Sequence, residues 1–223
     1  MTPVFPLGHA YLPGEQVGLN VFEPRYLELF ADMTESGADT FVTVLIERGS
    51  EVGGGDRRFT NGVAVRVLER VLSDVGLSVR GVAVGAVSVE QWGSDDPYPR
   101  AEVVPSPFET ANPGILLDAA SALTVLAQSV RSMLARHGVD TASGQFPGMQ
   151  ALSVVAGGHW FALPVPVVDV ERAFWSVARC IPCGPLDRHA MLSSRDIRAQ
   201  VSLLRRIAEH ADEILSFRAQ DGE

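Results

Sequence analysis

The chain has 223 residues, 46% hydrophobic and 20% charged, which is enough for a real core and suits one β-rich unit plus a helical subdomain. Its formal net charge is −9, and its 18 basic residues are all arginines, adjacent only in the isolated pairs Arg57-Arg58 and Arg205-Arg206; nucleic acid is therefore not an expected partner. The absence of lysine excludes a Walker A loop, a serine–lysine protease centre and Schiff-base chemistry, and no uninterrupted apolar stretch approaches the roughly 20 residues of a membrane span.

Met1-Thr2-Pro3 leads almost directly into a strand, without a basic and then apolar leader, so the cytoplasm is the expected compartment. Short apolar runs broken by glycine and proline predict strands at Val4 to Leu7, Gln16 to Val21, Phe41 to Glu47, Val63 to Leu72, Leu77 to Val82, Ala83 to Gln91 and around Ala101 to Val104. Arg66 and Arg70, four residues apart, are expected on one water-facing side of their strand, and Asp74-Val75-Gly76 suits a hairpin connection. One helix interrupts the strands. Pro24 pre-sets its first φ, Glu23 is placed to cap it or meet its dipole, Tyr26, Leu27, Leu29, Phe30 and Met33 share a buried face, and Ser36-Gly37 ends it.

Trp92 to Pro99 is turn-rich, and a proline-containing linker near residues 106 to 113 separates the strands from a helical stripe running from Leu116 to Leu134, with a stop at His137-Gly138. The expected domains are 1–105 and 114–223. Residues 138 to 149 read as a loop. Ala151 to Ala156 and Trp160 to Leu163 flank Gly157-Gly158 and fit either a hairpin or a broken helix pair; the β-branched and aromatic flanks favour the hairpin. Helices are expected at Val168 to Cys180, Pro185 to Leu192 and Ser194 to Phe217, the last with a capped start at Ser194 and Asp196.

Candidate chemistry is sparse. Cys180 and Cys183 have a C-x-x-C spacing but end a helix instead of starting one, and His189 alone does not complete a metal set, so both thiols read as apolar filler. The five histidines lack a ligand spacing, no G-x-S-x-G elbow is present, and no catalytic residue, metal or cofactor is expected. Tyr11, Trp92 and Tyr98, at turns and strand ends, are the candidate aromatics for holding a peptide.

Three blocks occur in order: Phe5-Pro6-Leu7-Gly8 with Leu12-Pro13-Gly14, then Phe22-Glu23-Pro24-Arg25-Tyr26, then Val44 to Ser50 with Glu51-Val52-Gly53-Gly54. With Ala178 to Pro182, Asp187 to Leu192 and the long last helix, they make the chain resemble the amino-terminal substrate-binding domain of the Lon protease family, without its ATPase and protease parts. The resemblance implies an α+β fold: a β-rich, PUA-like pseudo-barrel followed by a helical bundle. It also implies a stand-alone, non-catalytic module that binds unfolded or apolar-rich polypeptide and works with a separate protease or chaperone. Pro13, Gly14, Phe22, Glu23, Pro24, Arg25, Tyr26, Glu51, Gly53 and Gly54 are the family-motif positions. Glu23 and Arg25 are open to two readings, a ligand-binding rim or a brace in which Arg25 bridges to a carboxylate or loop carbonyls. The rival function is a hydrolase or small-molecule-binding enzyme with its site in a cleft between the subdomains.

Overall fold

A strand buried on both faces needs a layer on each side, and β1 (Thr2–Leu7) is such a strand, covered from Val4 through Leu7. The computed structural model describes residues 1–51, 55–74, 76–110, 112–138 and 148–221. These fall into two units, Met1–Pro107 with Arg188–Ser193, and Phe108–Asp187 with Ser194–Glu223.

In the first unit β1 pairs in parallel with β3 (Thr40–Arg48) and antiparallel with β6 (Arg100–Pro105). The strand order is β2-β5-β4-β3-β1-β6, where β2 is Gln16–Val21, β4 is Arg57–Ser73 and β5 is Gly76–Trp92. Because β6 also pairs with β5, five strands close into a ring, and β2 remains outside it, paired with β5 among the described strands. Val4, Val42, Val44, Val87, Val89 and Ala101 fill one side of this sheet. On the other, Phe5 stacks on Tyr26 of α1 (Pro24–Glu35) at 4.0 Å, and Phe30 meets Phe41 edge-on at 5.3 Å. Burying Tyr26, Leu29, Phe30 and Met33 contributes about 1.5–3 kcal/mol per side chain, more than any cap, so packing sets the place of α1.

Three local expectations are corrected here. The segments Leu77 to Val82 and Ala83 to Gln91 are one strand of 17 residues, in which Val84 is bulged out between the pairs Ala64↔Gly85 and Val65↔Ala83. A bulge adds a residue without ending the ladder, so sequence punctuation misleads. A second bulge, at Leu68, reverses the facing of β4: Arg66 stands opposite Val82 and Arg70 opposite Val79, on opposite sides of the sheet. Arg70 reaches inward over Phe30 and donates to Thr34 Oγ1 at 2.8 Å and the Ala38 carbonyl at 3.2 Å. Glu23 makes no side-chain cap to α1; its carbonyl takes the first helical bonds while its carboxylate turns to Arg25. The β4–β5 ladder closes at Ser73↔Gly76, and Val75 lies outside the described residues. Gly76 has φ +140°, and a Cβ there would stand 2.4 Å from the Val21 carbonyl oxygen.

The second unit is helical. Asn112 caps α2 (Pro113–Arg136) by accepting from the amides of Gly114 at 2.9 Å and Ile115 at 3.4 Å, and Pro113 follows at the first helical position. Leu116, Ala120, Leu123, Ala127, Val130 and Leu134 form its buried stripe, whereas Leu117 faces outward. Among the described residues α2 alone is long and apolar enough, by length and composition, to cross a membrane, and it packs on α3 (Met149–Ala156), α4 (Val167–Ala178) and α6 (Ile197–Asp221).

The expected hairpin around Gly157-Gly158 is instead the end of α3. Leu152, Val155 and Ala156 lie three and four residues apart and bury one helical face, and Gly158, at φ +78°, is the left-handed residue that stops it. The stop is fixed laterally: Gln128 donates to the Ala156 carbonyl at 2.9 Å, and the Trp160 indole donates to Thr124 Oγ1 at 3.0 Å. Helix α3 begins at Met149, so the expected loop ends earlier, and residues 139–147 lie outside the described residues. Helix α6 starts at Ile197 because Asp196 Oδ1, not Ser194, accepts from the amides of Arg198 and Ala199. Helix α5 (Pro185–Leu192) runs from the second unit into the first, which takes Arg188 to Ser193.

Candidate functional site

A polar or aromatic side chain can act on a ligand only where the fold leaves it reachable, and one such place in the first unit is a cavity of about 280 Å³ between β1, β2 and the start of α1. Phe5, Leu7, Leu19, Val21 and Tyr26 give it apolar walls, Asn20, Glu23 and Glu51 its polar lining, and His9, Tyr11 and Phe22 its aromatic margin. Phe22 is 62% exposed although it is a large apolar residue. Leu72, on β4 opposite Leu77, itself opposite Val21, is 78% exposed, so the apolar surface continues past the mouth.

The backbone of β2 forms one side of this cavity. Gly14 donates to the Ala83 carbonyl at 2.7 Å and Ala83 donates to the Glu15 carbonyl at 2.9 Å. Antiparallel alternation from that point turns Val17, Leu19 and Val21 toward β5, and the N–H and C=O groups of Gln16, Gly18 and Asn20 away from it. The Tyr11 hydroxyl accepts the Gly18 N–H on this outer edge. Burial, followed by the charge of Glu15, holds the Tyr11 phenol above its usual pKa, so it stays neutral and keeps its own proton to donate. His9 packs edge-on to Tyr11 at 4.8 Å, and burial together with the Arg188 charge lowers its pKa, which keeps the imidazole neutral at neutral pH.

The motif residues Phe22, Glu23, Tyr26 and Glu51 line the cavity, and Arg25 ties them together from outside it. Arg25 Nε lies 3.1 Å from Glu23 Oε2, and its Nη2 donates to the Glu51 carbonyl at 3.1 Å. The Glu51 carboxylate accepts the Gly8 N–H, and the Arg25 guanidinium sits 4.4 Å above the Tyr26 ring. Burial pushes the Tyr26 phenol up to about 12, and its hydroxyl has no partner among the described residues. Pro13 is buried and Gly14 turns at φ +88°, which places the start of β2. Gly53 and Gly54 lie outside the described residues.

Of the three aromatics singled out in the sequence, Tyr11 alone lines this cavity. Trp92 packs on the Val4–Val87 cluster with the Arg58 guanidinium 5.2 Å from its ring. Tyr98 is a correction: it is 3% exposed, donates to Asp32 Oδ2 at 2.7 Å and stacks under Arg100, so its ring is part of the core and is not offered to a peptide. Phe22, named in the sequence as a family-motif position, stands exposed at the cavity margin. One contributor was missed. Arg188, which donates to the Ala10 carbonyl at 2.6 Å and to the Glu15 carboxylate, holds the Tyr11 loop from the far end of the chain, where no spacing signals it. Among the described residues no group of three His, Cys, Asp or Glu could hold a metal.

A ring of strands with an aromatic cavity beside the outer edge of β2, which no other described strand covers, followed by helices, is an α+β domain with the surface of a binding module. The chain belongs to the family of the ATP-dependent protease La (LON) substrate-binding domain, whose model matches residues 1–210. Its fold is similar to that of a Lon N-terminal domain protein from Xanthomonas campestris, with TM-score 0.56 and 21% identity over 91% of this chain and 95% of that one. It is also similar to the N-terminal domain of Mycobacterium avium complex Lon protease, with TM-score 0.53 and 15% identity over 93% of this chain and 97% of the other. No curated protein matches the sequence.

Proposed function

We propose that this domain is a non-catalytic recognition module that binds unfolded or apolar-rich polypeptide in extended form, and hands it to a separate protease or chaperone. The observation that carries this reading is the outer edge of β2, whose Gln16, Gly18 and Asn20 backbone groups face away from β5 beside an aromatic cavity. An added strand takes its main-chain bonds from such an edge and its side-chain contacts from the adjoining pocket. Membership in a substrate-binding family supports the same class of partner. Exposed Phe22 supplies an apolar anchor that costs no unfolding to reach. With no lysine in the chain, catalysis of the serine–lysine type has no base.

Affinity for a single segment is expected to be micromolar or weaker, because an interface of this size is small and wet. Titration of apolar-rich peptides into isotope-labelled protein is expected to move the amide signals of Gly18, Asn20 and Phe22. Shifts confined to the helical unit, or none at millimolar peptide, would refute the reading, as would ATP hydrolysis or casein cleavage that copurifies with the protein and disappears on a point substitution.

A further inference from the structure

We infer that the cavity beside β2 selects a basic side chain, arginine or lysine, from the extended segment that lies along the strand edge. This rests on the polypeptide-binding reading above and specifies which segments the site prefers.

Among the described residues the charged side chains that line the cavity are Glu23 and Glu51, and no arginine lines it. The nearest guanidinium, that of Arg25, is committed to the Glu23 carboxylate, the Glu51 carbonyl and the Tyr26 face. Arg25 answers the Glu23 charge, whereas the Glu51 carboxylate has the neutral Gly8 N–H, so closing the mouth with a neutral apolar side chain would strip water from the Glu51 carboxylate and bring no charge to it. A cationic side chain offsets that loss with charge-assisted hydrogen bonds, while its aliphatic stem packs on Leu7, Leu19 and Val21. The aromatic margin suits the same group. Phe5 and Tyr26 occupy each other's faces, but Phe22 is largely exposed and presents ring surface to a cation. His9 is held neutral and adds no repulsion. At long range the net charge of −9 attracts a basic segment and repels an acidic one.

The test uses the full chain and three short, terminally blocked peptides that differ only at the central residue, which is arginine, leucine or glutamate. Their affinities are read from the Gly18 and Asn20 amide signals. The arginine peptide is expected to bind about tenfold more tightly than the leucine peptide, the equivalent of one good charge-assisted bond, with the glutamate peptide weakest. High salt should narrow the arginine preference in the unaltered protein. Glu51→Gln, which keeps an oxygen for the Gly8 N–H, should narrow it likewise, while Phe22→Ala should weaken all three peptides. Equal binding of the leucine and arginine peptides at these amides would overturn the basic preference and leave the polypeptide reading standing. Failure of every peptide to move these amides would overturn both.

Discussion

Arg188 Nε donates to the Ala10 carbonyl oxygen at 2.6 Å, across 178 positions of sequence, and its Nη2 meets the carboxylate of Glu15. That carboxylate also accepts the Leu12 N–H at 2.8 Å, so one buried guanidinium fixes the whole loop that carries His9, Tyr11 and Pro13 to the start of β2. Removing it takes the Arg188 donor from the Ala10 carbonyl and leaves the mostly buried Glu15 carboxylate with the Leu12 N–H but without its cation. Arg188→Ala is expected to lower stability by about 3 kcal/mol, the lower end for breaking a buried ion pair, and Arg188→Lys to recover only part, since an ammonium cannot serve both acceptors in the same fork geometry. Urea unfolding measures this; a loss under about 1 kcal/mol would mean that the loop holds itself.

Arg25 joins the start of α1 to the Glu51 backbone. Arg25→Ala is expected to cost about 1 to 3 kcal/mol by taking one donor from each of these acceptors and removing the cation from the Tyr26 face. Thermal and urea unfolding would show it. Unchanged stability together with lost peptide binding would instead make Arg25 a ligand contact.

The three tyrosines give the chain an alkaline signature. Burial raises Tyr11, Tyr26 and Tyr98, and takes Tyr26 furthest, to about 12. A folded-state pKa above the unfolded value stabilises the fold below about 10, and that contribution is lost as pH rises from there through about 12. Phenolate absorbance followed with pH should show one late-ionising tyrosine that vanishes in Tyr26→Phe. Because the hydroxyl is buried without a partner among the described residues, this variant should match the parent at neutral pH or gain up to about 1 kcal/mol. A loss of that size would reveal a hydrogen bond to the hydroxyl.

Cys180 is buried and its thiol is pushed up to about 11 by burial, whereas Cys183 is half-buried. Native protein is therefore expected to expose at most one reactive thiol at mildly alkaline pH and both after denaturation. Alkylation followed by mass spectrometry would assign them, and rapid native labelling of Cys180 would contradict its burial.

Much of this architecture is written locally. Pro24 and the Tyr26, Leu29, Phe30, Met33 spacing define α1; Asn112-Pro113 and the stripe through Leu134 define α2; and the alternation of Val17, Leu19 and Val21 defines β2. These signals are legible because caps and periodicity depend on residues within a few positions of one another. The ordered motif blocks from Phe5 to Glu51 likewise lead to the family whose model matches residues 1–210. What tertiary structure decided depends on partners far away in the chain. Val84 and Leu68 bulge only because neighbouring strands impose a register, so the continuity of β5 and the inward turn of Arg70 could not be read from β4 and β5 singly. A short apolar run such as Leu152 to Ala156 fits a strand or a helix until Gln128 and Thr124 of α2 hold its end. Tyr98 is withdrawn from the surface by Asp32, the Tyr11 loop is held by Arg188, and β2 is left as the edge strand because the ring closes through β6 instead. Each is a pairing choice among distant segments, and long-range pairing is the information that local propensity does not carry.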